Sequence, residues 1–316
     1  MGVKGGSERV SPTQPSPASA GEGFAARRGR RAILLVLAAS ATFTLASAVV
    51  KELGGALPIA QVILFRNLFA LPFLLLLALG RGGLQGLAPK RPALHLQRAF
   101  WGMMGMVGAF HGFTYLPLAT ATALGFTMPL FLTALSVVLL RERVGWRRWT
   151  AVAVGFGGVL LIARPGVGEA ALPAHSVGLV LMGALGWAMA MLSIRRMGEA
   201  GESGVGIVIW FAVACVVVSA VATVPVWVTP GRWQWALLLA LGVVSAVAQL
   251  LMTEAYRRGE TTLLAPFEYS AIVWTALLGI AIWAEWPDGW DLAGFVVLVG
   301  AGLFIWWRET GRVMKA

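Results

Sequence analysis

Long apolar runs broken by short knots of charge dominate the chain. The stretch FTMPLFLTALSVVLLRERVGWRRWTAVAVGFGGVLLIARPG, residues 126–166, shows the pattern most sharply. One apolar run stops at Arg141, Glu142, Arg143, Arg147 and Arg148, and another begins at once. Hydrocarbon offers no water to an unpaired backbone, so only helices and closed barrels cross a bilayer. A helix needs about 20 apolar residues to do so, and runs of that length choose helices over barrels. Composition agrees. Of 316 residues 58% are hydrophobic and 12% charged, where a soluble domain carries roughly a quarter charged residues, and the mean hydropathy is +0.79.

Ten such runs can be marked, at about 32–50, 57–79, 99–117, 119–140, 149–163, 176–194, 204–227, 233–253, 263–283 and 290–307. The expected fold is an all-α membrane protein of ten transmembrane helices. Residues 1–31 form a basic tail rich in Gly, Ser and Pro with little to bury, expected to be disordered, and 308–316 a short cytoplasmic tail. The basic–apolar–Ala46-Ser47-Ala48 order resembles a signal peptide. The run continues through Val50 at full spanning length, however, and nine more follow, which favours a first transmembrane helix. The one cysteine, Cys215, excludes a disulfide framework.

If the N-terminus is cytoplasmic, 21 of the 25 Lys and Arg residues collect on that side, leaving Lys51, Arg164 and Arg232 outside and Arg66 within a span. That is a strong positive-inside bias. It places both termini in the cytoplasm of a multi-pass protein of the cell (inner) membrane. The net charge of +11 then faces anionic membrane lipid, and no nucleic-acid partner is expected.

The chain also repeats itself. The segment from Tyr115, YLPLATATALGFTMPLFLTALSVVLLRERVGWRRWTAVAVGFGGVLLI, matches in order the segment from Tyr256, YRRGETTLLAPFEYSAIVWTALLGIAIWAEWPDGWDLAGFVVLVGAGLFI. In each, a Tyr precedes a small-residue turn, an apolar span, a Glu closely followed by Trp, and a Gly-rich span. An offset of 143 lays Glu142 on Glu285 and Gly157 on Gly300. A unit of five spans is odd, so the second copy enters from the opposite side. The expected organisation is two inverted five-helix repeats, 32–163 and 176–307, an arrangement common in secondary transporters.

LLRERVGWRRWTAVAVGFGGVLLIARPG, with FRNLFALPF in the second span and APFEYSAIVWTALLGIAIWAEWPDGWDLAGF in the ninth, resembles the drug/metabolite transporter superfamily, EamA type. The resemblance covers about residues 32–307. It implies ten helices in two five-helix repeats around a central cavity, and transport of small organic solutes by alternating access. Members export amino acids and other metabolites, or take up compounds such as S-adenosylmethionine and riboflavin. The acidic FEY of the ninth span is similar to the S-adenosylmethionine-type carriers.

Ionisable residues in hydrocarbon are costly and mark candidate sites. Arg66 lies nine residues into the second span and Glu268 about as deep in the ninth. One reading has Arg66 holding a carboxylate or phosphate-like group and Glu268 taking an amine or a coupling proton. The other has the two neutralise each other, or Arg66 snorkel. His111, Thr114 and Tyr115 share a face of the third span, where His111 is either a pH-sensitive site residue or a packing residue. Glu254, near the inner end of the eighth span and beside Tyr256, Arg257 and Arg258, suits a gate or proton coupling. Glu142 and Glu285 suit the capping or tethering of helix ends.

Trp274, Tyr269, Phe267, Trp187 and Trp101 are candidates to line a cavity for a flat or cationic ligand. Trp233, Trp235, Trp286, Trp290, Trp306 and Trp307 fall at span ends, as an interfacial aromatic belt requires. Glycines 102, 105, 108 and 112 read as close helix packing, and Pro129 and Pro266 as kinks.

Three classes of function compete. A transporter accounts for the inverted repeat and the midplane polar groups. An embedded enzyme needs clustered acids, histidines or metal ligands, and none is visible; His95 and His175 fall in loops on opposite sides. A scaffold needs no buried charge. The chain is therefore expected to be a secondary transporter of a small polar organic metabolite, such as an amino acid or S-adenosylmethionine, with riboflavin or a drug-like solute as alternatives. It is not expected to be an enzyme. Protons or a counter-solute drive it, and no cofactor or nucleotide-binding motif is present.

Overall fold

The computed structural model describes residues 17–80, 87–139, 146–165, 172–258 and 261–313. Within these ranges side chains are described from residue 30 to 307, except at 136, 138, 139, 148, 253, 256–258, 261–263 and 265. Among the described residues twelve α-helices follow one another: α1 Pro17–Leu53, α2 Ile59–Leu79, α3 Pro92–Tyr115, α4 Leu118–Gly125, α5 Met128–Leu139, α6 Trp146–Ala163, α7 Ala174–Glu199, α8 Gly204–Thr223, α9 Arg232–Arg258, α10 Thr261–Glu268, α11 Ser270–Trp283 and α12 Gly289–Val313.

Among the described residues eight segments are long and apolar enough to cross a membrane, and Trp149–Ala163 adds a shorter apolar helix. The expected third span is the exception. As α3 it has 24 residues, ample length, but His95, Gln97, Arg98, His111 and its glycines lower its hydropathy. Two boundaries also move. The helix α1 begins at Pro17, so the later part of the expected tail is helical; its Ala and Arg residues are good helix formers, and a formed span propagates at little cost. The helix α3 starts at Pro92, well before residue 99, with proline at its first turn, where the missing N–H is no loss.

The chain turns alternately at two ends of the bundle, each held by its own ties. At one end Lys51 meets Glu285 at 2.6 Å, Gln61 bonds both backbone groups of Val228, and Arg164 meets Asp288 at 2.6 Å and Asp291 at 3.2 Å. At the other end the Lys90 ammonium donates to the Gly201 carbonyl, the Arg91 N–H donates to Glu202, and the Trp210 indole donates to the Leu87 carbonyl. The region around Glu142 lies outside the described residues.

The most extensive packing joins α3 to α7, α1 to α9, α6 to α12 and α2 to α8. Every one of these pairs takes one helix from each half of the chain, so the halves interlock. Glycine permits the closest approaches. A Cβ on Gly108 would strike the Leu179 carbonyl oxygen and lie 2.6 Å from the Gly183 Cα, and one on Gly186 would lie 2.7 Å from the Trp101 carbonyl. The glycine stripe of α3 is thus helix packing, with Gly102 set apart because it faces the Arg98 guanidinium.

Two apolar segments are broken midway. The first breaks between α4 and α5 at Phe126–Thr127, the second between α10 and α11 at Tyr269. Phe126 and Tyr269 stand 143 positions apart, the offset that relates Glu142 to Glu285, and their rings touch at 4.6 Å. Pro129 lies two residues after the first break and Pro266 three before the second, rather than at them. Pro129 is the second residue of α5, a position where proline starts a helix instead of kinking one.

Candidate functional site

A cavity of about 360 Å³ lies among α1, α2, α3, α4, α7, α9 and α11. Its one charged lining residue, among those described, is Arg66; no carboxylate lines it. Phe43, Phe110, Phe113 and Trp187 give it aromatic walls. Arg66 is carried into the middle of the bundle by α2, an apolar helix whose other polar residues are Gln61 and Asn67. Its Nε donates to the Ser245 hydroxyl at 3.2 Å, Nη1 reaches the Met106 sulfur at 3.8 Å, and the guanidinium lies 6.0 Å from the Phe110 ring. A neutral hydroxyl and a thioether orient this cation but leave its charge uncompensated, so the cavity attracts an anionic group.

The lining hydroxyls complement it. Thr44 donates to the Ser40 carbonyl, Ser47 to Phe43, Thr122 to Leu118 and Thr275 to Ala271. Each donor proton is spent on its own helix, and each oxygen keeps lone pairs for a ligand. A guanidinium beside acceptor hydroxyls and aromatic faces suits a zwitterion: a carboxylate for Arg66, and an ammonium or other cation for hydroxyl oxygens and ring faces.

The other sequence candidates separate from this cavity. Arg66 does not partner Glu268. Glu268 is half-buried at the end of α10, one turn before Ala271, which does line the cavity. Tyr269 forms the α10–α11 break and packs against Gly302. Trp274 is 37% exposed and does not line the cavity, Phe267 packs in an apolar cluster with α1 and α9, and Trp101 faces Phe100. Of the five aromatic candidates only Trp187 reaches the cavity.

His111 shares a 2.9 Å hydrogen bond with the Ser176 hydroxyl, and its ring lies 4.5 Å from that of Tyr115 and 5.9 Å from that of His175. His175 stands on α7, not in a loop, and this places it against His111. Glu254 is half-buried towards the end of α9, while the side chains of Tyr256, Arg257 and Arg258 lie outside the described residues.

Two groupings escaped the sequence. Lys51, at the end of α1, joins Glu285 at 2.6 Å and the Leu116 carbonyl at 2.8 Å, with the Trp283 ring 5.4 Å away. The second oxygen of Glu285 accepts the Leu118 N–H at 2.9 Å, which caps α4. The capping role expected of Glu285 is present, with lysine as its partner. The second grouping is Arg98, counted from the sequence as a loop charge but 7% exposed in α3. It lies over Phe211 at 3.9 Å, and its Nε and Nη1 are buried without a hydrogen-bond partner. An unpaired buried donor costs about 1–3 kcal/mol.

The model of the EamA-like transporter family matches the chain twice, over residues 30–164 and 175–307. An S-adenosylmethionine uptake transporter of Rickettsia bellii is 30% identical over 84% of this chain and 89% of its own length. A pseudopaline exporter of Pseudomonas aeruginosa is 32% identical over 85% and 93%, and a riboflavin transporter of Rhizobium johnstonii 31% over 79% and 80%. A solved crystal structure superposes with a TM-score of 0.60 at 21% identity, covering 93% of this chain and 99% of its own, and so shares the fold.

Proposed function

Because the chain belongs to the EamA-like transporter family, we propose that it carries a small zwitterionic metabolite across the cell inner membrane by alternating access. It is a transporter of small metabolites, as its relatives are. The observation that carries the choice of substrate is the cavity, where the only cation among the described lining residues is Arg66 and the hydroxyls offer acceptors. An amino acid or S-adenosylmethionine has the matching pair of groups, and the aromatic walls suit a sulfonium.

The architecture is two inverted repeats of five spans, 32–163 and 176–307, with both termini cytoplasmic. In its support the family model matches each half, the helix breaks recur at the repeat offset, and the turns alternate between ends. Broken helices beside a midplane site are a common transporter device. In the cycle Arg66 holds the carboxylate, the hydroxyls and ring faces take the amine, and Glu268, one turn before the cavity-lining Ala271, takes the coupling proton. Opening at the Lys51 end requires the Lys51–Glu285 pair to part, because it joins helices α1, α4 and α11, all of which line the cavity.

Uptake of S-adenosylmethionine, amino acids and riboflavin into vesicles bearing the purified protein tests this reading. Arg66→Ala is expected to lower transport about tenfold or more, the loss of one charge-assisted contact. Glu268→Gln is expected to abolish uphill accumulation more than exchange. Undiminished transport by both variants removes these residues from the site.

A further inference from the structure

Among the described residues Arg98 is the only charged one in the buried core. Glu202, the carboxylate at this end of α3, is engaged by the Arg91 N–H at 2.8 Å and by His95 at 3.5 Å. Arg98 instead sits between aromatic rings, 3.9 Å over Phe211 and 5.8 Å from Trp187. Gly102 leaves room for its Nη1, since a Cβ there would overlap it. A guanidinium keeps its charge in any protein interior, and a purely structural one is expected to find carbonyl or carboxylate acceptors. The buried Nε and Nη1 find none.

Its position explains what would satisfy them. Arg98, Gly102, Met106 and Phe110 recur every fourth residue and form one stripe of α3. Met106 and Phe110 contact Arg66, so Arg98 lies eight residues, about 12 Å, further along the same stripe. Trp187 stands between the two. Its ring lines the cavity and rests on Gly105, and it is also a neighbour of Arg98.

We propose that Arg98 is a second carboxylate-binding station on the transport path, which receives the substrate from Arg66 once the Trp187 ring swings aside. This rests on the transporter reading above and adds a residue and an internal gate to it. The unpartnered donors belong to the empty station. Substrate carboxylate satisfies them in passage, whichever direction the net flux takes.

The full-length protein, purified in detergent, gives two readouts. Without solute, Arg98→Met is expected to raise the melting temperature by about 2 °C or more, since the two buried donors without a hydrogen-bond partner outweigh the ring contacts that an apolar chain of similar length gives up. A structural strut would behave oppositely, and a fall in melting temperature overturns the proposal. With S-adenosylmethionine as probe, Arg98→Met is expected to keep the thermal shift produced by binding at Arg66 while transport falls about tenfold or more. Arg98→Lys, which keeps the charge, should retain part of the transport and guards against a variant that does not fold. Decarboxylated S-adenosylmethionine should be transported poorly by the wild type and no worse by Arg98→Met. Wild-type transport of S-adenosylmethionine by Arg98→Met also overturns the proposal. If the wild type neither binds nor moves any solute of the panel, the functional reading fails, and the solute-free melting temperature still decides whether Arg98 is a strut.

Discussion

Arg66 stood out in the sequence because a charge inside an apolar run is costly and calls for a partner or a task. Its partners were not. Depth along a helix can be counted from sequence, but the direction a side chain faces depends on which helices pack around it, so Glu268 at similar depth was a reasonable partner that the packing did not provide. Ser245 and Met106 took that place. Arg98 illustrates the reverse case. His95 and Gln97 just before it made the start of α3 look like a loop, and a buried residue was counted with the exposed charges. The Lys51–Glu285 pair is the clearest test at this scale. Its side chains are 10% and 20% exposed, so water screens it little. Lys51→Ala is expected to cost about 1–3 kcal/mol, because Glu285 and the Leu116 carbonyl both lose a charged donor. Thermal unfolding of Lys51→Ala, Glu285→Gln and the double variant should give less than additive losses, and additive losses would show the two groups to be uncoupled.

Helices were the most readable elements, since uninterrupted apolar length leaves few alternatives, and the glycines of α3 announced close packing before any partner was known. The breaks at Phe126–Thr127 and Tyr269 were signalled only indirectly by Pro129 and Pro266. Proline marks where a helix is weak, and the neighbouring packing decides where it breaks. Contact between α3 and α7 depends on glycine, so Gly108→Ala must push the Leu179 carbonyl away. An overpacking cost of about 1–3 kcal/mol is expected, read as a lower melting temperature; an unchanged melting temperature would mean that the two helices are not held at this distance. The connection between α7 and α8 should respond to pH. Desolvation tends to raise the Glu202 pKa, but the Arg91 N–H and the His95 side chain outweigh it and hold it below its ordinary 4.5. A lowered folded value means that the stabilisation is present above the unfolded value and fades as pH falls through the folded one. The stability difference between wild type and Glu202→Gln should therefore be constant near neutral pH and shrink below about 4.5. A difference independent of pH down to strong acid would contradict this.

For the whole molecule, the repeat was readable as order, Tyr then Glu then Trp then glycine, well before it was readable as identity. The interlocking was not readable at all. Sequence halves suggest two bodies side by side, whereas the principal packing crosses between them, α1 on α9 and α3 on α7. Any rocking motion therefore divides the bundle along lines other than the chain midpoint. Everything proposed for transport depends on the second half entering the membrane from the opposite side to the first. Cysteine labelling reads this directly, with Cys215→Ser as background and single cysteines at Trp146→Cys and Trp286→Cys, both well exposed at opposite ends of the bundle. In intact cells an impermeant maleimide should label the cysteine at 286 and leave that at 146 unreactive until the membrane is opened. Equal labelling of both from the same side would contradict the inverted arrangement, and the central cavity would lose its meaning as a path.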